Sequence, residues 1–361
     1  MSIFVRIQLK VVSKNYFLIY LLIKIIKMQL YKAFIAAMFL TLIFSCGNPK
    51  KINENDNNQN QITKENINVP QFNSDSAYYY VDKQVSFGSR APNSKAHAEC
   101  ATYLEQQLRK YTENVIIQKT RVRAFDGKDL NVSNIIASYK PKLNNRIFLC
   151  SHWDSRPFGD NDPDPKMKDV PIPGANDGAS GVGVLLEIAR LLSKSEPKIG
   201  VDIIFLDAED YGQPQKSNFP QQEDTWALGT QYWAKNPHKP DYYAKYGILL
   251  DMVGAKGATF FHEGYSMKYA PDVVRKVWAT AQRLGYAAFF IDKESSTVTD
   301  DHYYVNTISG IPTIDIIHYD NTSNSGFFPY WHTHSDNMDN ISRETLKAVG
   351  QTLLTVIFEE K

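Results

Sequence analysis

The sequence predicts an α/β sandwich with a largely parallel central sheet. Strand-like and helix-like stretches alternate from about residue 75 to the C-terminus. Val201–Leu206 is a short apolar run of the kind that is buried on both faces. The first three strand-like stretches follow one another with no helix between them, which predicts an antiparallel edge.

Residues 75–87 and 92–110 read as helices, and Val115–Arg123, Val132–Ser138 and Arg146–Cys150 as strands. Gly181–Leu192 places Val182, Leu185, Leu186, Ala189 and Leu192 at helical spacing. After Val201–Leu206 come a helix near Ala227–Ala234, a strand Gly247–Leu250 and a helix over about 271–284. A strand Pro312–Ile317 and a last helix over about 343–359 complete the series.

The N-terminus stands apart. Lys32 precedes an apolar stretch, Ala33–Phe44, too short for a comfortable membrane span. It ends in Ile43-Phe44-Ser45-Cys46, which resembles a bacterial lipoprotein cleavage box. Residues 1–46 therefore read as a signal segment, with Met28 a possible start and Cys46 the site of a membrane-anchoring lipid. Residues 47–69 are rich in Asn, Gln, Lys and Glu and read as a disordered tether. The folded domain is expected over 70–361, exported and held at the membrane as a periplasmic or outer-membrane lipoprotein. Cys100 and Cys150 remain; Cys150 closes an apolar strand and reads as a buried free thiol.

Composition narrows the function. With 43% hydrophobic and 22% charged residues the chain is ordinary for a globular protein. A net charge of +1 carries no polyanion-binding signature, so nucleic acid is not an expected partner.

Sites in such sheets lie beyond the carboxyl ends of the strands. His152 and Asp154 follow Arg146–Cys150; Asp207, Glu209 and Asp210 follow Val201–Leu206; Asp251 follows Gly247–Leu250. Asp177 lies just before the helix at 181–192, and His332 and His334 lie near the C-terminus. Five distant segments thus offer a His or carboxylate at a site-facing position, a donor set suited to zinc. Singly, each has a plainer reading: His152 as a strand-end histidine, Asp177 as a helix cap, Asp251 as a turn residue. Asp160, Asp162 and Asp164 alternate as calcium ligands can, but the interspersed prolines favour an exposed acidic loop.

The stretches SHWDS, GANDGASGVGVLLEIARLL, FLDAEDYG, LLDMVGA and WHTHSDNMDNI resemble the metallopeptidase-type glutaminyl cyclases, relatives of the zinc aminopeptidases. The resemblance covers roughly residues 75–361 and implies a three-layer sandwich with a mixed, largely parallel sheet flanked by helices. It implies one zinc on Asp177, Asp210 and His332, with Glu209 as general acid/base. Asp251 and Asp301 match acidic residues beside that base, and Trp331 matches an aromatic pocket wall. His152 matches a second-zinc ligand of the aminopeptidases. The implied reaction is cyclisation of an N-terminal glutamine of a peptide or protein to pyroglutamate with loss of ammonia; a monomer is expected, although the sequence itself does not reveal the oligomeric state. An aminopeptidase on two metals and an inactive ligand-binding lipoprotein are the alternatives. The chain departs from its relatives in having Asp at 210, where many have Glu, and Asp at 315, where animal cyclases tend to have His.

Overall fold

The structure is a computed structural model that describes residues 68–323 and 325–361, together with Lys24 and Met28. Cys46, its apolar leader and residues 47–67 lie outside the described residues. Asn66–Lys361 is one compact unit.

Six strands form the main sheet: β1 (Val115–Arg123), β2 (Asp129–Tyr139), β3 (Arg146–His152), β4 (Gly200–Leu206), β5 (Gly247–Asp251) and β8 (Thr313–Ile317). Their order is β1-β2-β4-β3-β5-β8. β2 runs antiparallel to both neighbours, whereas β4-β3-β5-β8 pair in parallel. Only β2 is therefore reversed. The expected antiparallel edge is the β1–β2 hairpin, and β1 itself runs with the parallel set.

Both sheet faces are covered. Ile147, Leu149, Val201, Ile203, Phe205, Ile248 and Leu250 enter one apolar cluster, and Phe148, Cys150, Ile204, Leu206 and Leu249 the opposite one. This is the period-2 alternation of strands buried on both sides. Helices α1 (Ser74–Val85), α2 (Lys95–Arg109), α3 (Ala179–Leu192), α6 (Pro271–Arg283) and α8 (Arg343–Glu359) supply the first layer. α4 (Leu228–Lys235), through Trp233, supplies the second. Cys100 and Cys150 are both free and buried.

Several short elements escape the sequence reading, three of them near β8 or in a second sheet. β6 (Phe260–His262) and β7 (Phe290–Glu294) form a separate parallel pair, and α5 (Gly264–Tyr269) packs near β8. β6 has only three residues, and β7 ends in exposed Asp292, Lys293 and Glu294, so neither shows strand periodicity.

α3 decides where the site forms. Every residue of it except Arg190 is buried, so it is packed all round rather than on one stripe. Its small N-terminal residues let it sit against the ends of β3 and β5. A methyl on Gly181 would press into the Ser151 hydroxyl and the Leu250 carbonyl oxygen. Gly181→Ala should therefore destabilise the fold by about 1–3 kcal/mol despite its better helix propensity. Urea unfolding checks this; an unchanged or raised midpoint would show that the contact is slack.

Candidate active site

The carboxyl ends of β3, β4 and β5 meet the turn before α3 and a loop at 328–336. His152 closes β3 and Asp251 closes β5. Asp177 precedes Gly178, which is the α3 N-cap and makes no side-chain cap bond. Asp177 is thus not spent on capping. Its carboxylate lies between two groups: His152 Nε2 is 3.0 Å from Asp177 Oδ1 and 3.1 Å from Asp251 Oδ1. On the other side, His332 Nε2 is 3.3 Å from Asp210 Oδ1 and 3.8 Å from Asp177 Oδ2. Two metal-type triads result here, His152–Asp177–Asp251 and Asp177–Asp210–His332, sharing Asp177; Asp300–His302–Asp315 is a further group of the same kind among the described residues.

A cation fits the second triad on chemical grounds. Both Asp210 carboxylate oxygens are buried without a hydrogen-bond partner. Such groups are costly unless paired, and carboxylate oxygen with imidazole nitrogen is an acceptable zinc donor set.

The loop after β4 is aimed by carboxylates that grip its backbone. Asp154 accepts Glu209 N at 3.1 Å and Asp210 N at 3.2 Å, one on each oxygen. Asp207 accepts Ser133 N at 2.6 Å and Ala208 N at 2.8 Å, and pairs with His97 Nε2 at 2.8 Å. Asp207 therefore props the loop and faces no cavity. Asp336 treats the Asp177 turn alike, accepting Asn176 N at 2.7 Å and Asp177 N at 3.1 Å. Ala208, Met252 and His332, one in each of three site loops, have φ of +53°, +49° and +58°. Such left-handed non-glycine residues cost energy and concentrate at functional sites.

A cavity of about 550 Å³ opens above the triads, and Glu209, Asp210, Trp331 and His332 are on its wall. Trp331 lies with its ring centroid 3.8 Å from that of His332. Trp226, which the sequence reading passed over, stacks near His332 at 6.0 Å and also lines the cavity. A lone tryptophan in an irregular loop gives no periodic signal to find it by.

The sequence reading also missed the neighbour of Asp301. Asp300, not Asp301, lines the cavity. Asp301 opens the short helix α7 (Asp301–Tyr304) and is fully buried beside Thr230. Asp300 is the N-cap of that helix, which leaves its second carboxylate oxygen buried and free of partners. Of these two adjacent aspartates one reaches the cavity wall, and the sequence alone does not tell which. Asp315 is buried close to Asp300 and His302.

The acidic segment also resolves. Asp160 pairs with Arg156, Asp162 with His334, and Asp164 caps a 3₁₀ turn at Lys166 N. His334 is half-buried on Asp162 and lies outside both metal-type triads.

Crowding sets the electrostatics. Burial raises Glu209 well above the usual carboxylate range, and the neighbouring Asp300 and Asp210 add to it. Burial lifts Asp251 to about 7 and Asp210 to about 6. Burial alone would lower His152, but the carboxylates of Asp154, Asp177 and Asp251 outweigh it and hold the imidazole well above its ordinary value.

Residues 134–357 match the sequence profile of Peptidase family M28. The chain belongs to peptidase family M28. It is 54% identical to a glutaminyl cyclase of Bacteroides thetaiotaomicron solved with N-acetylhistamine; the match covers 81% of this chain and 100% of that one, with a TM-score of 0.80. It is 53% identical, over 81% of this chain and 100% of the other, to a Zn-dependent exopeptidase of Parabacteroides distasonis, again with a TM-score of 0.80. A bovine glutaminyl-peptide cyclotransferase is 26% identical over 63% of this chain and 66% of its own length. The mixed six-stranded sheet between helices is the architecture of the exopeptidase-like neighbours, and the family and its Zn-dependent member imply zinc.

The raised carboxylates and His152 give a signed expectation for the metal-free chain. Their folded forms hold protons that the unfolded chain releases, from near pH 4 for the aspartates. The stability they contribute is complete below that point and is lost as pH rises through about 6 for Asp210 and 7 for Asp251. The metal-free melting temperature should therefore fall between pH 5 and 8, and zinc should restore most of the loss at the upper end. Calorimetry with and without chelator checks this; a metal-free melting temperature that climbs across that window would refute it.

Proposed function

We propose that this chain cyclises the N-terminal glutamine of peptides and proteins to pyroglutamate, with release of ammonia. The observation that carries the reading is Glu209. It is a buried carboxylate on the cavity wall, next in sequence to Asp210 but outside both metal-type triads, with its backbone fixed by Asp154. A group so placed is free to move protons beside a cation rather than hold one. The named glutaminyl cyclase at 54% identity supports the same reading.

Asp177, Asp210 and His332 would hold one zinc, which would supply Lewis-acid polarisation to a bound side-chain carboxamide. The α-nitrogen forms the new bond to the carboxamide carbon, and the bond from that carbon to the amide nitrogen breaks. Glu209 takes the proton that the α-nitrogen loses and returns one to the nitrogen that departs as ammonia. Trp331 and Trp226 wall the cavity and hold the side chain folded. Correct orientation of an intramolecular attack is worth effective molarities of about 10⁵–10⁸ M. In this reading His152 bridges the two carboxylates through Nε2, hydrogen-bonded to Asp251 and ion-paired with Asp177, and binds no second metal.

A two-metal exo-aminopeptidase is the rival, favoured by the His152–Asp177–Asp251 triad and by the exopeptidase at 53% identity. One assay pair separates them. Wild-type protein should release ammonia from a Gln-Ala peptide, carry one zinc per chain, and leave leucyl amides intact. Glu209→Gln should lower ammonia release by about 10²–10⁴-fold while zinc stays bound. Free leucine with two zinc ions per chain would replace the proposal with the rival.

We propose also that Cys46 carries the lipid that holds the chain at a membrane, on the cleavage-box resemblance of residues 43–46. Cys46→Ala expressed in a bacterial host should leave the membrane fraction for the soluble one. Unchanged partition on immunoblots of the two fractions would reject it.

A further inference from the structure

The two histidines near the C-terminus and the acidic segment at 159–164 face each other residue for residue. His332 Nδ1 lies 3.1 Å from Asp160 Oδ1. Asn161 N donates to the His332 carbonyl oxygen at 3.3 Å. Asp162 Oδ2 receives both His334 N at 3.0 Å and His334 Nδ1 at 2.9 Å. Two carboxylates spaced i, i+2 thus grip two imidazoles spaced i, i+2, with a backbone bond between. The segments pack closely enough that a methyl on Gly159 would lie 2.6 Å from the Met167 carbonyl oxygen and 3.0 Å from the His334 ring.

Asp160 is itself held in place. Fully buried Arg156 grips it bidentately, Nε to Oδ1 at 2.9 Å and Nη2 to Oδ2 at 2.8 Å. The remaining guanidinium nitrogen, Nη1, donates to the Asp210 and Gly212 carbonyl oxygens at 2.9 and 3.1 Å. One buried cation therefore joins the loop that carries Asp210 to the carboxylate beside His332. An arginine fork suits this use because its donors are planar and fixed.

From this geometry we propose that Asp160, locked by Arg156, is the positioning residue for His332. It favours the proton on Nδ1, so that Nε2 turns its lone pair toward Asp177 and Asp210. The contact between Asp160 and His332 is oblique, an ion-pair approach rather than a straight hydrogen bond, and it acts by charge and proximity. The need for such a clamp is local: His332 stands at φ +58° on an irregular loop, with no strand or helix to orient it. Carboxylates behind metal-binding histidines characteristically tune affinity by 10–100-fold. Asp162 grips its histidine as firmly, yet His334 is outside the Asp177–Asp210–His332 triad. It is therefore the internal control.

The inference rests on the zinc reading above, and zinc affinity tests the two separately. Chelator competition on purified wild type, Asp160→Asn and Asp162→Asn gives the dissociation constants at one pH. Asp160→Asn should bind zinc about 10–100-fold more weakly, and Asp162→Asn within about threefold of wild type. The Co²⁺-substituted chain adds a spectroscopic readout: the visible band should shift or weaken in Asp160→Asn and hold in Asp162→Asn. Should Asp160→Asn fail to fold, Asp160→Glu keeps the carboxylate and should retain zinc within about tenfold. Equal zinc affinity and an identical Co²⁺ spectrum in wild type and Asp160→Asn, or loss through Asp162→Asn alone, would overturn the clamp and leave the zinc reading intact. A wild-type chain that binds no zinc would overturn both.

Discussion

Everything at this site depends on how buried carboxylates are compensated. Asp154, Asp177, Asp207, Glu209, Asp210, Asp251, Asp300, Asp301, Asp315 and Asp336 are all buried. So many like charges in a low-dielectric interior would be untenable unless each met a donor, shared a proton or faced a cation. The structure divides them. Asp154, Asp207 and Asp336 are satisfied by pairs of backbone N–H groups. Both oxygens of Asp210, Asp301 and Asp315 have no hydrogen-bond partner. The first set is scaffold. Asp210 is where a cation is called for.

The scaffold set explains how a loop-built site can be precise. Strand ends place a Cα but do not aim a side chain, and a mispointed ligand loses affinity. Here the peptide units are aimed instead: Asp154 fixes the N–H groups of Glu209 and Asp210, and Asp336 those of Asn176 and Asp177. Charge-assisted bonds of this kind are stronger than neutral ones, which helps to hold residues such as Ala208 in the left-handed region. Asp207, at the head of FLDAEDYG, extends the grip through His97 to α2, where the imidazole stacks on Trp153 at 4.4 Å. One short stretch thus carries a prop, a candidate proton carrier and a candidate metal ligand in succession.

Much of this was legible in the sequence because it followed from periodicity and strand order. The strands that build the site read as apolar runs, and the residue types just beyond them are what a metal requires. What was not legible depends on backbone direction over one or two residues. Asp300 and Asp301 are chemically identical in the sequence; both are buried, and the cap residue of α7, Asp300, is the one on the cavity wall. Trp226 reaches the cavity from a loop without periodicity, and Asp160 and Asp162 find their histidines across 172 residues of chain. Contacts of that range have no local signature. The acidic alternation at 160–164 was visible, but its partners were not.

The same balance bears on the number of metals. The two triads share Asp177, so a cation in one changes the field in the other. On the His152 side, the imidazole lies within 3.1 Å of both Asp177 and Asp251, and the surrounding carboxylates favour its charged form. A protonated His152 supplies there a positive charge that a second metal would otherwise supply. On the other side the nearest fixed cation is Arg156, whose Nη1 stands 3.7 Å from Asp210 Oδ1 and whose donors go to Asp160 and to backbone carbonyls. It steadies that half without neutralising it. One metal on Asp177–Asp210–His332 with a charged histidine opposite is the arrangement that the one-zinc proposal requires, and the two halves are coupled through their shared Asp177.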